Sequence, residues 1–332
     1  MLVRWARSAV DWGGIWWKNC VASCRLALHL RRAAMIRSNQ DPGTPNECIL
    51  LIGPSGGGKT WLVETAGRAC GIPFASISAT DITSEGYIGM GIDDGVKRLI
   101  SDGNDDVEKA RFGVLFVDEW DKKRSSNWEF GGRDVAGASV QQEVLRLIEG
   151  TVFQVGGRKG SWDWAPTTFN SRGTAFAFAG AFTGLQELLD KRGGHGIGFG
   201  PRQRASARCY LLDALVDYGM IVEFVNRIST VLMLPEPTVG QLREIAVRSV
   251  IPAFNRILTT FGAGIEPDLD ATTLMADIAL ETGTYARGIK SIVTQLVEDI
   301  VFEVQQGTIR LGVDDVRRAV EESGLGLVAS EN

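Results

Sequence analysis

Eight consecutive residues, Gly53-Pro54-Ser55-Gly56-Gly57-Gly58-Lys59-Thr60, place four glycines, a lysine and a hydroxyl in the order G-x-x-x-x-G-K-[ST]. Glycine accepts dihedrals that other residues avoid, so such a loop can turn its backbone N–H groups inward around a phosphate. Lys59 then reaches the β- and γ-phosphates of a nucleotide, and the Thr60 hydroxyl binds Mg²⁺. A helix opening at Trp61 directs its positive end at the same anion. The second half of such a site is an apolar strand ending in acids, and Val114-Leu115-Phe116-Val117-Asp118-Glu119 supplies it. Asp118 is the candidate Mg²⁺ ligand and Glu119 the candidate base that orients an attacking water. Together the two stretches point to ATP and Mg²⁺ as cofactors.

These side chains need a frame that brings residue 59 to residue 118. The apolar run 48–52 predicts a strand entering the glycine loop, and 73–77, 114–117 and 174–179 predict three more. Helical patterns at 96–100 and 139–149 lie between them, and strands alternating with helices imply a parallel sheet flanked by helices. Residues 122–138 and 156–172 are long, polar and rich in Gly, Arg and Trp, which in a compact domain points to functional loops. Pro235-Glu236-Pro237 marks a boundary, because proline removes a backbone donor and fixes φ. Beyond it, Thr238 caps a predicted helix reaching Leu258, Asp270 one reaching Glu281, and Thr284 one reaching Val304. A short strand at 309–311 precedes a last helix over 313–323. The expected fold class is α/β: a P-loop NTPase domain with a parallel sheet, followed by a small, mainly helical lid. The expected domains are an N-terminal helical segment at 1–44, the ATPase domain at 45–234, the lid at 235–325 and a tail at 326–332.

Composition narrows the class. The 332 residues are 44% apolar, enough to bury a sizeable core. Formal charge is −5, so nothing draws the chain as a whole to nucleic acid or to an anionic membrane surface. Its five cysteines form no C-x-x-C pair and are odd in number, which argues against a disulfide framework or a zinc module and for a reducing cytoplasm. The first forty residues hold seven Arg/Lys, one acid and four tryptophans, yet no apolar run long enough to span a membrane. A helix over 15–37 packing on the nucleotide domain is the expected arrangement there.

Several further stretches give the chain a family likeness. Phe116-Val117-Asp118-Glu119-Trp120-Asp121-Lys122 resembles I-D-E-I-D-K of the ClpX-type AAA+ unfoldases, and 140–151 resembles their V-Q-Q-A-L-L-K-L-I-E-G-T. Gly180-Ala181-Phe182-Thr183-Gly184-Leu185 is similar to G-A-F-A-G-L, and 218–227 to F-G-L-I-P-E-F-I-G-R. The resemblance runs from about residue 48 to 311. It implies that Arg227 is an arginine finger and that Arg287, in Tyr285-Ala286-Arg287-Gly288, is a second nucleotide sensor on the lid. Planar guanidinium groups suit the charge that spreads over the γ-phosphoryl oxygens. It further implies a homo-hexamer whose pore grips protein substrates. Tyr87, Ile88 and Gly89 resemble the G-Y-V-G loop, Arg133, Asp134 and Val135 the segment before a second loop, and Arg158 and Lys159 part of G-G-R-K-H at the pore entrance. Ile197, Gly198 and Phe199 lie in a G-I-G-F-G segment like the one with which the family docks on the ClpP peptidase.

The chain also departs from that pattern. Gly160 stands where the pore-entrance histidine is found, and no counterpart of the family's cysteine-ligated zinc module is expected. The stretch before Gly53 matches the family poorly, and no clear polar residue ends the strand predicted at 174–179, where a first nucleotide sensor would stand. The function the resemblance implies is an ATP-dependent unfoldase delivering substrates to a ClpP-like peptidase. A peptidase-independent remodeller is the alternative, and a nucleic-acid motor is disfavoured by the acidic balance and the Gly-Tyr-Ile-Gly loop.

Overall fold

The computed structural model describes residues 45–69, 71–82, 92–125, 135–155, 166–194, 207–302 and 307–322, which fall into two compact units. The first holds residues 45–53 and 59–234. The second holds 54–58 and 235–322.

In the first unit the chain runs through β1 (Cys48–Ile52), α1 (Lys59–Ala69), β2 (Phe74–Ser78), α2 (Ile92–Asp102), α3 (Val107–Ala110) and β3 (Val114–Asp118). After a 3₁₀ turn at Trp120–Lys123 come α4 (Val135–Ile148), β4 (Val152–Val155), β5 (Thr167–Asn170) and β6 (Ala175–Gly180). Helices α5 (Leu185–Gly194), α6 (Ala207–Tyr218) and α7 (Val222–Arg227) lead into β7 (Thr230–Met233). Five strands form one sheet in the order β2-β3-β6-β1-β7, every pairing parallel. Strands buried on both faces have no wet side to reserve for polar residues, so β1 reads Cys-Ile-Leu-Leu-Ile and is buried throughout, as is β6. Burial pushes the Cys48 thiol well above its usual range, with the Glu47 charge adding to it, so this cysteine behaves as a small inert hydrophobe. Asn46 fixes the start of β1: its Nδ2 donates to Ser171 O at 2.8 Å and its Oδ1 accepts from Gly173 N at 2.9 Å.

The parallel α/β sheet is the one expected, with differences at its margins. The strand predicted at 73–77 sits one residue later, and β7 was not foreseen. The segment 156–172, read as a loop, contains β5, which pairs antiparallel with β4. Alternate residues of β4 and β5 face solvent, so their polar content is that of a half-exposed hairpin.

In the second unit α8 (Val239–Ile245) opens on a capping box. Thr238 accepts from the backbone of Gln241, whose side chain bonds back to Thr238 N. The helix predicted to reach Leu258 does so as α8, a π-helical turn at Ala246–Val250 and α9 (Ile251–Leu258). Then follow β8 (Ala263–Pro267), α10 (Leu269–Glu281), α11 (Tyr285–Phe302), β9 (Gly307–Leu311) and α12 (Val313–Glu322). Asp268, rather than Asp270, caps α10 by accepting from Ala271 N at 2.7 Å. Strands β8 and β9 pair in parallel, and Leu242, Met275, Ile289, Ile292 and Val316 are buried in a core of their own. Among the described residues no helix is long and apolar enough to cross a membrane.

Candidate active site

Parallel strands finish on the same edge of a sheet, and open α/β sheets take ligands at that carboxyl edge. Here Ser78 of β2 pairs with Asp118 of β3, and Ile52 of β1 with Gly180 of β6, so four strands end together. The loop leaving β1 begins at Gly53, where β7 comes close: a Cβ there would lie 2.9 Å from both the Cβ and the O of Leu234. Lys59, first residue of α1, is buried, and its Nζ donates to Gly53 O at 2.8 Å. A buried ammonium is tolerable only with hydrogen-bond partners, and this one turns the lysine back along its own loop. Trp61 stands exposed on α1.

The next residue, Thr60, donates from Oγ1 to Asp118 Oδ2 at 3.2 Å. A hydroxyl beside a carboxylate is a hard oxygen pair of the kind Mg²⁺ takes when it keeps waters and phosphate oxygens as its other ligands. The donor chemistry therefore fits Mg²⁺. Asp118 Oδ1 accepts from Glu119 N at 2.9 Å. Glu119 itself has φ of 56°, a left-handed conformation uncommon outside glycine, asparagine and aspartate. That turn brings its carboxylate back toward β2, where Ser78 Oγ donates to Glu119 Oε2 at 3.3 Å and Thr80 Oγ1 donates at 3.4 Å. Ser76, Ile77, Ser78, Arg98, Asp118 and Glu119 line one open cleft. Sequence reading missed Ser78 and Thr80. The available signal was a pair of hydroxyls ending a strand, and only the sheet order puts that strand beside β3.

The turn after Glu119 is locked from below. Trp120 is fully buried against Phe178 and Phe224, with ring centroids 4.7 and 5.1 Å apart. Asp121 Oδ2 accepts from Phe182 N at 3.3 Å, and a Cβ on Gly180 would fall 2.5 Å from Asp121 Oδ1. The carboxylate thus needs glycine at that strand end.

Residues 54–58 group with the second unit. Gly57 N donates to Pro54 O at 3.1 Å, and Gly56 and Gly58 have φ of 78° and 82°, so both need the conformational freedom of glycine. A Cβ on Gly56 would lie 2.6 Å from Thr284 O. Arg287 Nη1 donates to Ser55 Oγ at 2.9 Å. Arg227, last residue of α7, is half exposed and pairs through Nη2 with Glu149 Oε1 at 2.6 Å.

Lys59, Thr60, Asp118 and Glu119 are thus gathered in the first unit, whereas Ser55 and Arg287 meet in the second. Tyr87, Ile88, Gly89, Arg133, Asp134, Arg158, Lys159, Ile197, Gly198 and Phe199 lie outside the described residues, as does the expected helix at 15–37. Of Val135 only the backbone, at the start of α4, is described.

Residues 49–159 match the family described as AAA, the ATPase family associated with various cellular activities. The chain is also 35% identical over 272 residues to the ATP-dependent Clp protease ATP-binding subunit ClpX of Treponema denticola. That similarity covers 77% of this chain and 65% of the relative, so the chain spans a little under two thirds of that protein's length.

Proposed function

This chain belongs to the ClpX-like AAA ATPases, and from that premise we propose that it is an ATP-driven protein unfoldase that threads substrates through a ring and delivers them to a ClpP-like peptidase. The observation that carries the ATPase part is the Thr60–Asp118 contact beside Lys59 and Glu119, at the carboxyl ends of β1 and β3. In this reading the loop from Gly53 to Thr60 holds the phosphates, and the Lys59 ammonium leaves Gly53 O to neutralise their terminal oxygens. Thr60 and Asp118 would hold Mg²⁺, which when bound offsets charge on the phosphate oxygens. The Glu119 carboxylate orients water and accepts its proton, held at the right attitude by Ser78 and Thr80. Arg227 is offered to a neighbouring subunit of a homo-hexamer, since an exposed ion pair such as Arg227–Glu149 is given up at little cost. Arg287 acts as the second sensor. Tyr87 and its flanking residues grip the polypeptide, Arg133, Asp134, Val135, Arg158 and Lys159 line the rest of the path, and Ile197, Gly198 and Phe199 dock the peptidase in the cytoplasm.

The test is one reporter assay with two readouts. Purified chain, Mg²⁺, ATP and a cognate ClpP-like peptidase should unfold and then destroy a folded, tagged reporter. Phe199→Ala should remove the destruction while sparing ATP turnover and unfolding. Reporter unfolding that never couples to a peptidase would favour the peptidase-independent remodeller, and no ATP turnover at all would refute the proposal.

A further inference from the structure

Helix α7 is six residues long, Val222–Arg227, and has no side-chain cap of its own at Ile221. A helix this short does not hold itself together in water, so whatever fixes it must come from other elements. What fixes it is α4. Gln141 lies on α4 with no exposed surface, and its Oε1 accepts from Ile221 N at 2.9 Å, which satisfies an N–H that α7 leaves unpaired. The same side chain donates from Nε2 to Lys123 O at 2.7 Å and to Gly219 O at 3.3 Å. Lys123 ends the turn that follows Glu119, and Gly219 lies just before α7. One buried amide therefore ties the turn after the candidate base to the start of the helix that ends in Arg227.

Two further contacts follow the same line. Trp120, the residue after Glu119, packs its ring on Phe224 of α7. Ser125 donates from both N and Oγ to Gly219 O, at 2.9 and 3.1 Å. Gly219, at φ of 113°, comes so close that a Cβ would lie 2.6 Å from Ser125 O. At the far end of α7, by contrast, Arg227 pairs with the exposed Glu149. The N-terminal end is tied to a buried amide, and the C-terminal end carries an exposed ion pair that can exchange partners.

We propose that Gln141 is a positioning residue for Arg227, acting through Ile221 and the body of α7 to aim the guanidinium at the neighbouring subunit's nucleotide. This rests on the finger reading of Arg227 given above. Replacing Gln141 should then harm the site of the neighbour even in a chain whose own site is already disabled, which a merely structural amide would not do.

Mixed rings read that difference. Full-length Glu119→Gln chains serve as donors, with Arg227 intact and their own turnover impaired. Arg227→Ala chains serve as acceptors, with an intact site and no finger. Mixing the two should restore ATP turnover at interfaces where a donor's Arg227 meets an acceptor's site. Adding Gln141→Met to the donor should cut that restored kcat by about 10²-fold, the loss typical of a reacting group displaced by about 1 Å, with KM unchanged. Restoration equal to that of the parent donor overturns the proposal. If Gln141→Met fails to fold by circular dichroism, Ile221→Pro takes its place in the donor, removing the N–H that Gln141 accepts while suiting the φ of −70° at that residue. Full restoration by that donor is equally fatal. Arg227→Ala with wild-type turnover, or parent chains that never restore one another, removes the shared-site reading itself and this inference with it. That outcome is recognisable because no Gln141 variant takes part in it.

Discussion

The acids at the end of β3 and the buried amides of Gln141 and Asn46 belong to one sheet domain but are held in opposite ways. Glu119 is exposed, and its hydroxyl partners Ser78 and Thr80 stand at 3.3 and 3.4 Å, near the long end of what a hydrogen bond allows. Gln141 and Asn46 are buried, and their tightest contacts are 2.7 and 2.8 Å. The Glu119 carboxylate is thus bound loosely in water, whereas the two amides that hold elements together are bound tightly away from it. Lys59, buried and held at 2.8 Å by Gly53 O, does not follow the same division.

Three substitutions press on that contrast, in falling order of effect. Glu119→Gln removes the proposed base but keeps the shape, so ATP turnover should fall by about 10²–10⁴-fold while nucleotide is still bound. Isothermal titration beside a phosphate-release assay checks both, and wild-type turnover would move Glu119 out of the reacting set. Asn46→Ala should act on stability instead, costing about 1–3 kcal/mol by leaving Gly173 N buried without its partner, while Ser171 O keeps Thr174 N. Urea unfolding measures this, and a change below about 0.5 kcal/mol would mean that buried amides here are not what fixes β1. Ser78→Ala should do least: about 0.5–1 kcal/mol of stability, because Ser78 Oγ also accepts from Thr80 N, and turnover within a few-fold, because Thr80 still faces Glu119. A loss as large as that of Glu119→Gln would show that the hydroxyl, not the carboxylate alone, is essential.

Much of the site was legible because its parts are local. Gly53 to Thr60 and Val114 to Glu119 are unbroken stretches, and the apolar runs before them are those of doubly covered strands. Thr238 announced its helix because a capping box lies within four residues. What escaped depends on separation. Ser78 matters only because β2 lies beside β3, and Gln141 only because residues 123, 219 and 221 converge on it. Strand β7 was overlooked because alternate side chains are less buried at the sheet's edge, which blurs its pattern. At α10 two acids both suited a cap. Asp268 takes the role because its backbone N also donates to Leu311 O, a partner 43 residues further on that no local pattern reveals.

The sheet order also dictates when the site can exist. β1 is the first strand among the described residues yet sits between β6 and β7, so its neighbours are residues 176–180 and 230–233. Ring closures over that span are entropically slow, and during synthesis they must wait for more than a hundred further residues. A nascent chain that has already made both the glycine loop and the two acids would still lack the strands on either side of β1. The segment 49–159, though it carries every residue of the Thr60–Asp118 pair, therefore cannot by itself seat β1, and nucleotide can act as a folding ligand only once β7 is out of the ribosome.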